Sequence, residues 1–266
     1  MAMAVLQIDY FSRALERTVM FHVVLPNDVM DYYKEDNPHY QRPMKTLMLL
    51  HGYFGSSTEW LYKSEIVELS SRYNLLVVLP SGENSFYTEG PASGRRYQTF
   101  VGEELLRYVR QTFHVSDARA DTYIGGFSMG GFGALLTGLA FPETYQKVFL
   151  FSAALITGEV ANVNDSRKQL ANTDYFRLVF GELSDVTNSL NHPPTLLNKL
   201  QETKTEIPDL FVACGTEDEL IEHSREFVAS LNSQSIPVTY HEEPGGHDFS
   251  FWNKLIEPAI QWCLEE

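Results

Sequence analysis

The sequence predicts an α/β protein: a mostly parallel sheet of about eight strands with helices on both faces. Short runs such as Thr46 to Leu50, Leu75 to Leu79, Lys147 to Ser152 and Asp209 to Cys214 are nearly continuous in apolar residues, as strands buried on both faces must be. Each is followed by a stretch of helical spacing, and strands alternating with helices build parallel sheets. Most telling is Thr122 to Leu136, where a short apolar run enters Gly126-Phe127-Ser128-Met129-Gly130 and a helix of small residues follows at once. Five glycines crowd this one boundary, which calls for an unusually tight strand-to-helix turn.

Taken in order, Val5 to Tyr10 and Arg17 to Leu25 read as strands with no helix between them, so an antiparallel edge is expected there. Asn27 to Pro43 is polar and aromatic, a surface loop or hairpin. Thr46 to Leu50 delivers His51-Gly52-Tyr53-Phe54-Gly55, and Thr58 is placed to cap a helix from about Glu59 to Tyr73. After Leu75 to Leu79, the stretch from Ser81 to Arg96 lacks periodicity and forms a loop above the sheet. Phe100 to Phe113 carries Leu105, Val109 and Phe113 on one helical stripe. The helix after Ser128 ends near Phe141-Pro142. From about Ala153 to Glu206 the chain turns polar and loosely helical, an insertion lying over the strand ends. Order then resumes: strand Asp209 to Cys214, helix Glu219 to Ser233, strand Pro237 to His241, helix Phe251 to Leu264. Nothing resembles a linker or an internal repeat, so the 266 residues are expected to form one domain, 1–266, with a cap-like insertion at about 153–206.

Composition narrows the partners. A net charge of -15 repels nucleic acid and anionic lipid. Two cysteines, Cys214 and Cys263, supply neither a disulfide framework nor metal-ligand spacing, so no metal or cofactor is expected. The start of the chain lacks the basic and long apolar regions of a signal peptide, and no run is long enough to span a membrane. A cytoplasmic protein is the expectation, and an exposed edge strand near the N-terminus would support a homodimer.

In a sheet of this kind the loops at the carboxyl ends of the strands form the working face. Four of them carry unusual residues: His51-Gly52-Tyr53, Ser128, Gly215-Thr216-Glu217-Asp218 and Gly245-Gly246-His247. Gly126 to Gly130 is a G-x-S-x-G nucleophile elbow in its strand-turn-helix context, and the order Ser, acid, His is that of an α/β-hydrolase. Ser128 is the candidate nucleophile; its hydroxyl needs a base within hydrogen-bond reach. His247 is the candidate base, since imidazole can both take and return a proton near neutrality. Asp218 would orient that imidazole. It can equally be a helix N-cap. Glu217 is the competing acid, with Glu242, Glu243 and Asp248 further alternatives. Two backbone amides, those of Met129 and Tyr53, are placed to form an oxyanion hole. His51 is expected to shape that loop as a buried hydrogen-bonding residue. Tyr53, Trp60, Tyr87 and Trp252 are candidates for the pocket wall, although aromatic residues are more often plain packing.

These residues together resemble the esterase D / putative-esterase family of α/β-hydrolases, and most closely its short bacterial tributyrin and feruloyl (cinnamoyl) esterases. The pieces that match are Phe11 to Leu15, Leu50-His51-Gly52 with Trp60, Asn84 to Tyr87, Gly126 to Gly131, Cys214 to Asp218, and Gly245 to Asp248 with Trp252. The resemblance implies a carboxylesterase with Ser128, Asp218 and His247 as triad and Tyr53 and Met129 as oxyanion donors. Its substrates would be small carboxylic esters: short-chain acyl, acetylated sugar or hydroxycinnamoyl esters. A thioesterase like S-formylglutathione hydrolase is the alternative enzyme, although its oxyanion loop reads differently. An acyltransferase and a non-catalytic binding protein on a hydrolase scaffold complete the alternatives.

Overall fold

The computed structural model describes residues 4–162 and 171–265. Its eight strands are β1 (Ala4–Ser12), β2 (Arg17–Leu25), β3 (Lys45–Leu50), β4 (Leu75–Pro80), β5 (Thr122–Phe127), β6 (Lys147–Phe151), β7 (Asp209–Gly215) and β8 (Val238–Glu243). They form one sheet in the order β1-β2-β4-β3-β5-β6-β7-β8. β1 and β2 pair antiparallel, as do β2 and β4, and every other pairing is parallel. The expected antiparallel edge is therefore present. β1 alternates exposed and half-buried residues along most of its length, the pattern of an outer strand, whereas β4 and β5 are buried throughout.

The helices are α1 (Asp31–Glu35), α2 (Glu59–Lys63), α3 (Ile66–Tyr73), α4 (Tyr97–Thr99), α5 (Leu105–Phe113), α6 (Met129–Ala140), α7 (Thr157–Val160), α8 (Thr173–Phe180), α9 (Pro193–Thr203), α10 (Ile221–Ser233) and α11 (Phe249–Leu264). Because side chains alternate across a strand, each central strand feeds two cores. Met48, Leu50, Ile124 and Leu150 meet α5, α6 and α10 on one face. Leu47, Leu49, Tyr123 and Phe149 meet α3 and α11 on the other.

Three local expectations are corrected. The helix expected over Glu59 to Tyr73 is two, because Ser64 is extended (φ -139°, ψ 172°) and its hydroxyl bonds back to the Trp60 carbonyl at 2.6 Å. Thr58 stands at the start of α2, but its hydroxyl pairs with Ser56 Oγ and caps no amide. The helix expected from Phe100 begins at Tyr97 and passes through a wide π-helical turn, Phe100–Glu104, before α5.

The inserted segment is more apolar inside than its composition suggests. Phe176, Val179, Phe180, Leu183, Leu197 and Leu200 join the same buried cluster as α6. Pro193 and Pro194, where a helix interior would be broken, instead occupy the first turn of α9. The stretch 163–170 of the expected insertion lies outside the described residues. Among the described residues no helix is long and apolar enough to cross a membrane.

Candidate active site

Ser128 sits between β5 and α6 at φ 55° and ψ -121°. A side-chain-bearing residue held there costs on the order of 1–3 kcal/mol, so its surroundings must enforce it. They do. The Ser128 amide donates to the Phe151 carbonyl at 2.9 Å, and its own carbonyl accepts from the amides of Phe132 and Ala154, each at 3.0 Å. The flanking glycines leave no room for a methyl group: a Cβ on Gly130 would lie 2.5 Å from the Leu50 carbonyl oxygen, and one on Gly126 2.6 Å from Gly130. The elbow thus closes only with glycine on both sides.

His247 lies on the loop between β8 and α11, and Asp218 on the loop after β7. His247 Nδ1 and Asp218 Oδ2 are 2.9 Å apart. An ionised carboxylate only accepts, so Nδ1 carries a proton, and in the neutral imidazole Nε2 is then the acceptor. Asp218 is fully buried at its side chain. Burial alone would push its carboxyl up, but hydrogen bonds from His247 and the Leu220 amide, with the neighbouring Ser152 hydroxyl, hold it below the ordinary carboxylate value. The two readings of Asp218 are both satisfied, since Oδ1 accepts the Leu220 amide at 2.8 Å just before α10. Glu217 accepts instead from the Gly245 amide and from Thr216 Oγ1, bracing the histidine loop. Asp248 caps α11 through the amides of Ser250 and Phe251.

Ser128 and His247 line one cavity of about 440 Å³, together with Tyr53 and Met129. The amides of Tyr53 and Met129 donate in none of the turn, loop and cap hydrogen bonds of the described residues. His51 holds the loop that presents Tyr53. Its Nδ1 bonds the Gly52 carbonyl at 2.8 Å and its Nε2 accepts the Gly82 amide at 2.8 Å, so both ring atoms are committed and it has no free atom for catalysis. Burial lowers its pKa, in keeping with a neutral imidazole.

The remaining pocket candidates are corrected. Trp60, Tyr87 and Trp252 are 1%, 0% and 4% exposed, and none of them lines the cavity. Each is packed in a core with its polar atom satisfied internally: Trp60 Nε1 on the Leu50 carbonyl at 3.0 Å, Tyr87 Oη on the His51 carbonyl at 3.2 Å, and Trp252 Nε1 on Ser152 Oγ at 3.0 Å. The walls come instead from Phe54 and Phe86 and, from the inserted segment, Ala154, Ile156, Val160 and Phe176, with Glu159, Asn162 and Glu219 as polar members. Phe86 belongs to the Asn84 to Tyr87 stretch, one position from the residue chosen there. Cys214 is buried and its thiol is pushed up to about 11 by burial, which leaves it inert as a nucleophile. Among the described residues no group of three or more His, Cys, Asp or Glu is placed to hold a metal ion.

Comparison with known proteins gives a family and a fold. A family model described as "Putative esterase" matches residues 12–263. An acetyl esterase of Caldicellulosiruptor saccharolyticus is 39% identical over 261 residues, 98% of each chain. Two solved structures from Staphylococcus aureus are each 27% identical. The fluorophosphonate-binding serine hydrolase FphF gives a TM-score of 0.85 over 99% of both chains. The S-formylglutathione hydrolase FrmB gives 0.83 over 100% of both. A ferulic acid esterase at 20% identity and a TM-score of 0.76 shares the fold.

Proposed function

This chain belongs to the putative esterase family and is a serine ester hydrolase of the α/β-hydrolase fold, and from that premise we propose that it cleaves short-chain carboxylic esters through an acyl-enzyme on Ser128. The observation that carries the assignment is the His247–Asp218 pair at 2.9 Å, with His247 and the strained Ser128 lining one cavity. His247 Nε2 takes the Ser128 proton as the hydroxyl attacks the ester carbonyl. The oxygen gains negative charge at the start of α6, where the amides of Met129 and Tyr53 receive it; one such donor contributes about 3 kcal/mol. The imidazolium then protonates the departing alcohol, and water reverses the sequence to free the acid. Asp218 stays ionised throughout, holding the ring and its charge.

A short acyl group is supported by the acetyl esterase relative and by a mainly apolar cavity near the small end of ligand sites. The likeness to FrmB keeps a thioester as the second reading, because the same acyl-enzyme serves both. The shared buried cluster supports treating the chain as one domain with residues 153–206 as its cap. Release of 4-nitrophenol from its acetate and butyrate esters tests the first reading. Ser128→Ala should lower kcat by about 10⁴-fold or more. Turnover that survives in that variant would remove Ser128 from the mechanism. A kcat/KM for S-formylglutathione above that of every oxygen ester would favour the thioesterase.

A further inference from the structure

Trp252 is one helical turn into α11, buried, and outside the cavity, yet it touches one member of the candidate triad and residues that adjoin the other two. Its ring stacks on Phe127, the residue before Ser128, at a centroid distance of 4.1 Å and an angle of 24°. The same ring meets His247 edge-on at 5.1 Å and 87°. Its indole nitrogen reaches Ser152 Oγ at 3.0 Å. Ser152 follows β6, whose end bears no expected site residue. It is 0% exposed, and its φ of 46° is another uncommon setting for a side-chain-bearing residue. Its amide is fixed to the Ala213 carbonyl at 2.8 Å, in the strand that leads to Asp218.

Donor and acceptor chemistry fixes the direction of this chain of groups. An indole N–H can only donate, so Ser152 Oγ is the acceptor and its own hydrogen is left to donate elsewhere. The acceptor that adjoins it is the Asp218 carboxylate, while the Cys214 thiol, its sulfur 4.0 Å away, is a further donor toward Ser152 Oγ. A hydrogen bond to an ionised carboxylate is among the stronger kinds.

We propose that Trp252 and Ser152 are a positioning pair for the triad, Trp252 polarising the Ser152 hydroxyl toward Asp218 while its ring holds the His247 imidazole upright. The pair touches no substrate; it acts by keeping the carboxylate aimed at Nδ1 and the ring from turning away. This explains why a tryptophan that shapes no pocket lies against both the histidine and the residue before the nucleophile. The proposal rests on the acyl-enzyme mechanism above and extends it.

The test uses Ser152→Ala, Trp252→Phe and the double variant. Phenylalanine removes the donor and keeps an aromatic ring against Phe127. Rates are normalised to the fraction of Ser128 titrated by a fluorophosphonate, so misfolded protein drops out. Each single variant should lose about tenfold in kcat with KM unchanged, the order expected for a hydrogen bond to a charged group. The double variant should lose no more than the worse single, because both act through one hydroxyl. In Ser152→Ala the acid limb of the kcat/KM profile should move to higher pH, since a carboxylate short of one donor holds the imidazolium more tightly. A purely structural role would lower thermal stability and leave that limb in place. Normalised kcat and pH profile equal to the parent in Ser152→Ala would overturn the proposal while leaving the esterase assignment intact. A parent that the fluorophosphonate does not label at Ser128 would overturn both.

Discussion

At the scale of single residues, Ser128 shows a conflict between stability and chemistry. Its backbone sits where glycine is at ease and serine is strained, and its hydroxyl is the reason for the strain. Ser128→Gly should therefore be inactive and more stable than the parent. The expected gain is about 1 kcal/mol, since relief of a 1–3 kcal/mol strain is partly offset by the greater freedom of glycine in the unfolded chain. In a chain of this size that is roughly a 2–4 °C rise in Tm, read by calorimetry. Ser128→Ala keeps the strain, so the two inactive variants separate strain from the loss of the hydroxyl. A glycine variant that melts below the alanine variant would mean that the turn is not strained.

Among the elements, α8 adds one aromatic ring of the inserted segment to the cavity, beside residues in and around α7. Phe176 is 3% exposed, packs near Phe180 and Tyr175, and lines the cavity. Phe176→Ala should widen the cavity and raise the kcat/KM of hexanoate relative to acetate esters by about tenfold. The same change should cost about 3 kcal/mol of stability. An unchanged chain-length profile would place the acyl group elsewhere. None of this was legible before folding. The strands were, because burial on both faces leaves a continuous apolar run that no surface helix imitates. The candidate triad could be picked out as well, because each member stands after a strand end and the sheet brings strand ends together. Trp60, Tyr87 and Trp252 were misread because a large aromatic ring has the same sequence signal whether it walls a pocket or fills a core. Phe176 and Phe180 stood in a segment whose polar residues diluted the helical stripe. Ser152 was invisible for another reason: its importance comes from Trp252, a hundred residues away in sequence.

Across the whole molecule, two buried and two half-buried histidines set how stability responds to acid. Burial lowers the pKa of His22, His51 and His192, and burial with the nearby Arg42 and Lys45 lowers that of His39. In each case the unfolded chain, titrating near 6.5, binds its proton before the folded one does. Their contribution is therefore whole above about pH 6.5 and is lost as the pH falls through the lowered folded values. Asp218, whose carboxyl is held below its ordinary value, adds a second loss that begins only below about pH 4. One effect opposes these: acidification also reduces the repulsion within a chain of net charge -15. That repulsion acts between exposed charges and is largely screened at about 0.15 M salt, where the Debye length is roughly 8 Å, whereas the desolvation that leads each histidine shift is little affected by salt. Tm at that ionic strength should therefore be flat from pH 8 to 7 and fall steadily from about pH 6.5 to 5, with net proton uptake on unfolding at pH 5.5. At low salt the fall should be shallower, because relief of charge repulsion then offsets part of it. A Tm that rises on acidification at 0.15 M salt would show that surface repulsion, and not these histidines, governs the acid side of the stability curve.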